Sequence, residues 1–147
     1  MKKIPYAKHY FSQDEINAVH QVLKNGWIAR GPKIKEFEQE FSSTLGYKFS
    51  VSCTNGSAAI EIALRAAGVT AGDEVIVPTL TWASTATSVS MVGATPIFAD
   101  IEEDSYCISP ASISRLITSR TKAIIPVHFG GISANMEEIW KISELNN

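Results

Sequence analysis

Apolar residues recur at helical spacing through the first 46 residues; after that, short apolar runs alternate with helical stretches. Ser12 and Glu15 form a capping-box pair at the start of the first helix, and Ile16, Val19, His20 and Leu23 then share one face. Asn25-Gly26 ends it. Gly31-Pro32 opens a second helix with proline at a tolerated first position. That helix is expected to bury Ile34, Phe37, Phe41 and Leu45 and to stop at Gly46. Residues 1–48 therefore read as an N-terminal helical arm, since no strand has yet appeared.

From residue 49 the period changes. Phe49-Ser50-Val51-Ser52-Cys53 reads as a short buried strand, with Cys53 a small core hydrophobe, and a helix follows over 57–68. A strand over 74–78 leads to a helix over 82–92, and a strand over 96–99 leads to a Pro110-initiated helix ending near Ile117. A strand over 122–127 and a helix from Asn135 or Met136 complete the pattern. Continuous apolar strands alternating with helices predict an α/β fold, a parallel sheet covered on both faces. Four strands and a last helix without its return strand leave residues 49–147 as an incomplete α/β domain, expected to be truncated.

Composition narrows the class. With 45% hydrophobic and 19% charged residues the chain is globular, and a net charge of −2 gives no electrostatic footprint for nucleic acid or an anionic membrane. Val75 to Ala99 carries no charge and is long enough to span a bilayer, but Pro78, Gly93, Pro96 and its many hydroxyls fit a strand–helix–strand segment better. The two cysteines, Cys53 and Cys107, form no metal or redox motif, and no signal-peptide core follows Lys2-Lys3. A reducing, cytoplasmic setting is expected.

Two corners could carry chemistry. At Thr54-Asn55-Gly56-Ser57-Ala58-Ala59 a glycine permits a tight turn and Ser57 sets a hydroxyl beside the unpaired N–H groups of a helix start, a phosphate-type anion site. An ordinary capped turn has the same composition. At Thr81-Trp82-Ala83-Ser84-Thr85, past a strand's carboxyl end, Trp82 offers a flat face for a heteroaromatic ring, or else packs at the helix start. Together the corners suggest a phosphorylated aromatic cofactor. His128 follows the last strand; it is expected as a hydrogen-bonded structural histidine, with contact to cofactor or substrate as the alternative. No carboxylate pair or set of metal ligands stands out, and no G-x-G-x-x-G follows a strand, which sets a nicotinamide-binding module aside.

Several segments resemble one family: Gly31-Pro32 with Phe37-Glu38, Asn55 to Ala59, Gly72-Asp73-Glu74-Val75-Ile76-Val77-Pro78, Gly93-Ala94-Thr95-Pro96, and Thr121 to His128. Together they are similar, in order, to the DegT/DnrJ/EryC1/StrS sugar aminotransferases. The resemblance implies part of the large domain of the fold type I enzymes that use pyridoxal 5'-phosphate, in a homodimer. It implies that Gly56, Ser57 and Ala58 hold the cofactor phosphate and that Trp82 stacks on its ring. It places Trp27 near the substrate entrance, where docking of the arm is an equal explanation. It implies a nucleotide-linked keto sugar as substrate and glutamate as amino donor, in amino-sugar or surface polysaccharide synthesis. The family's Schiff-base lysine and its acidic partner for the ring nitrogen are expected beyond Asn147, and none of the lysines present sits in the family's lysine context. No catalytic residue is therefore assigned here, and the chain alone is expected to be inactive. A sugar dehydratase of the same family and a non-catalytic truncated or split-gene product are the alternatives.

Overall fold

The structure, a computed structural model, describes residues 4–5 and 7–146. Its contacts divide it into two compact units, residues 1–52 and 53–147.

The first unit holds α1 (Gln13–Asn25) and α2 (Pro32–Leu45). Their ends follow the sequence closely. Ser12 and Glu15 complete the capping box, and Gly26 and Gly46 adopt left-handed φ values of 74° and 72° to close the two helices. The expected burial does not occur. No residue of either helix is buried, and Phe37 is 57% exposed. A helix buries its apolar stripe only where another element meets it, and among the described residues of this unit no element covers either stripe.

Residues 49–53 do not form the expected strand. A strand needs a neighbour to take its backbone bonds, and here the Ser52 N–H donates instead to a carboxylate oxygen of Glu38 at 2.8 Å. Phe49, Val51 and Cys53 are exposed, so Cys53 is not a core thiol.

The second unit is α/β. It runs α3 (Gly56–Ala66), β1 (Glu74–Pro78), α4 (Ser84–Met91), β2 (Thr95–Ala99), α5 (Pro110–Leu116), β3 (Thr121–Ile124) and α6 (Met136–Asn146). The sheet has three parallel strands in the order β2-β1-β3, one fewer than the sequence suggested because residues 49–53 stay outside it. β3 also stops at Ile124, short of the expected 127.

β1 is buried along its whole length. Its alternation sends Val75 and Val77 to one face, with Leu64, Val69, Val89, Val92 and Ala94, and Ile76 to the other, with Ala99, Cys107, Ile108, Ile113, Ala134 and Ile139. Thus α3 and α4 cover one face and α5 and α6 the other, as a continuous apolar central strand requires.

Gly93 bridges α4 and β2 with φ +85°, and an added Cβ would lie 3.2 Å from the Ala71 Cβ. Gly93→Ala is therefore expected to cost about 1–3 kcal/mol by strain at positive φ, measured by urea unfolding. The same change at Gly56, where φ is unstrained and no atom lies within 4 Å of an added Cβ, carries no such cost. Among the described residues no helix is long and apolar enough to cross a membrane.

Candidate functional site

The sheet's topology selects one edge. The chain leaves β1 for α4 on one face and leaves β3, its neighbour, for α6 on the other. Outside the carboxyl ends of the strands at such a divergence is where α/β folds place ligands. Trp82 lies in the loop after β1 and His128 in the loop after β3.

The corner before α3 is built by its cap. Asn55 is extended (φ −167°, ψ 173°), and its Oδ1 accepts the Ala58 N–H at 2.9 Å, while its carbonyl accepts the Ala59 N–H at 3.1 Å. The N–H groups of Gly56 and Ser57 and the Ser57 hydroxyl find no acceptor among the described residues. They sit at the positive end of an eleven-residue helix. The segment Thr54–Ile60 has no acidic residue, and Glu61 in the next turn is held by Arg65 at 2.8 Å. No atom lies within 4 Å of where a Gly56 Cβ would stand. Two free amides, a hydroxyl and a helix dipole without a competing carboxylate fit an oxyanion. Ala58 contributes a small side chain, since its amide is occupied by the cap.

Ser88 of α4 ties this corner to the next one, donating its hydroxyl to the Ser57 carbonyl at 3.3 Å. Two residues ahead of α4, Trp82 is 81% exposed, so its indole is not consumed in packing. Its carbonyl accepts the Thr85 N–H at 2.9 Å, and the Thr81 and Thr85 hydroxyls pair at 2.9 Å across the same turn. The loop is thus held while the ring stays free.

His128 braces its own loop. Its Nδ1 accepts the Ala134 N–H at 3.0 Å across a turn in which Gly130 and Gly131 take positive φ. The structural role expected of it is present. Accepting at Nδ1 puts the neutral ring's proton on Nε2. In the first unit, Trp27 is 60% exposed, and its Cβ lies 3.1 Å from where a Gly31 Cβ would stand. A larger residue at position 31 would have to push the Trp27 side chain aside by a few tenths of an ångström.

The sequence reading passed over two groups. Asn55 is the helix cap; its short acceptor side chain immediately before Gly56 is the signal for it. Glu38 is half-buried although Phe37 beside it is exposed. Its carboxylate, held by the N–H and hydroxyl of Ser52, is pushed below the ordinary carboxylate range.

The model of the DegT/DnrJ/EryC1/StrS aminotransferase family matches residues 9–147. The chain belongs to that family. It is 42% identical over 141 residues to the spore coat polysaccharide biosynthesis protein SpsC of Bacillus subtilis (strain 168), covering 96% of this chain and 36% of SpsC. The aminotransferase from Psychrobacter cryohalolentis superposes with a TM-score of 0.93 at 35% identity, over 97% of this chain and 37% of that one. NtdA from Bacillus subtilis, solved with its cofactor PMP bound, gives 0.87 at 35% identity, over 90% of this chain and 31% of NtdA. This member of the DegT/DnrJ/EryC1/StrS family therefore spans about a third of the length of the relatives it matches. Its α/β unit, with the parallel sheet and the helices on both faces, is part of the fold type I aminotransferase architecture.

Proposed function

We propose that this chain provides the phosphate corner and ring platform of an aminotransferase that uses pyridoxal 5'-phosphate and acts on nucleotide-linked keto sugars. The observation that carries the reading is the Asn55-capped start of α3, with the Gly56 and Ser57 amides and the Ser57 hydroxyl unpaired among the described residues. Membership of an aminotransferase family, and PMP bound in one relative, support the choice of cofactor.

In this reading Gly56 and Ser57 donate to the phosphate, and Ala58 keeps the first turn of α3 narrow. Trp82 lies against the pyridine ring and shields it from water. When bound, the cofactor supplies the carbonyl that carries the amino group and the ring that withdraws electrons. His128, its Nδ1 occupied, offers only Nε2 to a ligand beyond the strand ends. Trp27 contacts the sugar nucleotide. Glutamate is the amino donor, and the working enzyme is a homodimer.

Titrating pyridoxal phosphate into the chain and following backbone amide shifts tests the reading. The Gly56 and Ser57 signals are expected to move first. Ser57→Ala should weaken binding about tenfold, the value of one hydrogen bond to a charged group. Asn55→Asp should weaken it further by setting a negative charge beside the phosphate. Shifts elsewhere, with Gly56 and Ser57 unmoved, would refute the assignment.

A further inference from the structure

The phosphate corner and the ring platform lie at the starts of different helices, and each is shaped by bonds of its own. At α3 the Asn55 side chain and carbonyl take the Ala58 and Ala59 N–H groups, and the Cys53 thiol donates to the same carbonyl at 3.3 Å. Ahead of α4 the Trp82 carbonyl takes the Thr85 N–H, and Thr81 and Thr85 pair through their hydroxyls. All of these bonds are local. They settle the form of each corner and leave open the distance between the two.

That distance depends on how α3 sits against α4. Ile60 and Leu64 share one apolar cluster with Ala86, Val89 and Val92, but apolar contact is non-directional and does not by itself align two helix starts. A single polar contact can. Ser88, wholly buried in α4, donates its hydroxyl to the Ser57 carbonyl at 3.3 Å. The bond is long, yet it is the one partner that this buried hydroxyl has among the described residues. Among those residues no other hydrogen bond joins the two helices. It meets α3 in its first turn, at a residue of the phosphate corner itself. From Ser88 the connection runs back along α4 to Thr85, and through the Thr85 N–H to Trp82.

We propose that Ser88 is a positioning residue that sets the span between the phosphate corner and the Trp82 ring. It would thereby select ligands that carry a phosphate and a flat heteroaromatic ring a fixed short distance apart. The role rests on the phosphate and ring assignments made above. A ligand held at both ends gains affinity only while its two contacts match its own length. A ligand held at one end is indifferent to that span. Ser88 therefore matters to a phosphorylated ring and not to phosphate alone, a distinction that a general contribution to folding would not produce.

The test measures binding by the full chain of inorganic phosphate and of pyridoxine 5'-phosphate, which has the ring and the phosphate but no aldehyde to react with lysines. The wild-type chain is expected to hold pyridoxine phosphate more tightly than phosphate. Ser88→Ala should cut that preference about threefold, near the low end for one neutral hydrogen bond, and leave phosphate affinity within about twofold of wild type. Ser88→Thr keeps the hydroxyl and adds a methyl to a filled site, so it should lower the melting temperature while keeping the preference. Ser88→Ala with an unchanged preference, or with both ligands weakened alike, would overturn the positioning role and leave the two corners standing. A preference lost equally in Ser88→Thr would also overturn it, because the hydroxyl would then be irrelevant. A wild-type chain that binds the two ligands equally would remove the ring platform and the role with it. One that binds neither would remove the phosphate corner as well.

Discussion

Replacing Ile76 with alanine is expected to destabilise the α/β unit by about 2–5 kcal/mol, the usual cost of emptying a filled core site. Ile76 has no solvent exposure and sits on the central strand, in register with Ile97 of β2 and Ile124 of β3. Its side chain is surrounded by Ala99, Cys107, Ile108, Ile113, Ala134 and Ile139. Helices α5 and α6 reach the sheet through this cluster, so the cavity weakens several contacts at once. A urea titration followed by circular dichroism should show a lower midpoint with an unchanged slope. Ile62→Ala, on the open side of α3, is the control and should change stability by roughly 0.5 kcal/mol or less. Equal effects at the two positions would contradict the packing described.

The second large effect is expected at Glu74. Its carboxylate is buried at the start of β1, where Thr118 Oγ1 donates to Oε2 at 2.5 Å and Arg120 Nε donates to Oε1 at 2.9 Å. The Glu74 N–H donates to the Arg120 carbonyl at 2.8 Å, so the residue ties the loop before β3 to the central strand twice over. The Thr118 hydroxyl first, and then the Arg120 guanidinium, hold the carboxyl below its ordinary range. A carboxylate depressed in the folded state stabilises the fold above its unfolded pKa, and that stability disappears as pH falls through the lower folded value. The melting temperature of the wild-type chain should therefore decline below about pH 5. Glu74→Ala should lower it at neutral pH, on the order of 5–10 °C, and flatten that acid limb. Thr118→Val should reproduce part of both effects. An unchanged acid limb in Glu74→Ala would show that another group titrates. Arg120 is mostly exposed, so added salt should matter less than either substitution.

Much of this molecule was legible along the chain, for local reasons. Helix ends were clear because caps are local: Ser12 with Glu15, Gly26, Pro32 and Gly46 each act within a few residues. The central strand was clear because Val75-Ile76-Val77-Pro78 is too uniformly apolar to face water on either side. The corner before α3 was visible as composition, and so was Trp82. What it lacked was the division of labour between Asn55 and Ser57, which depends on the backbone angle at Asn55.

The misjudged features share one cause. Phe49 to Cys53 carries a strand's composition, and Ile34, Phe37 and Phe41 carry a core-facing helix's pattern, yet a pattern states a capacity to be buried and does not supply a partner. Whether Ser52 pairs with a strand or with a carboxylate fourteen residues earlier is a non-local fact. By itself, then, the sequence determined the helices, the caps of α1 and α2, the apolar centre of the sheet and the family, because each is written in spacings of a few residues. Only the tertiary structure decided the strand order β2-β1-β3, the burial of Glu74 against Thr118 and Arg120, and the anchoring of Ser52 by Glu38. Those depend on which distant residues meet, and hydrophobic periodicity carries no record of that.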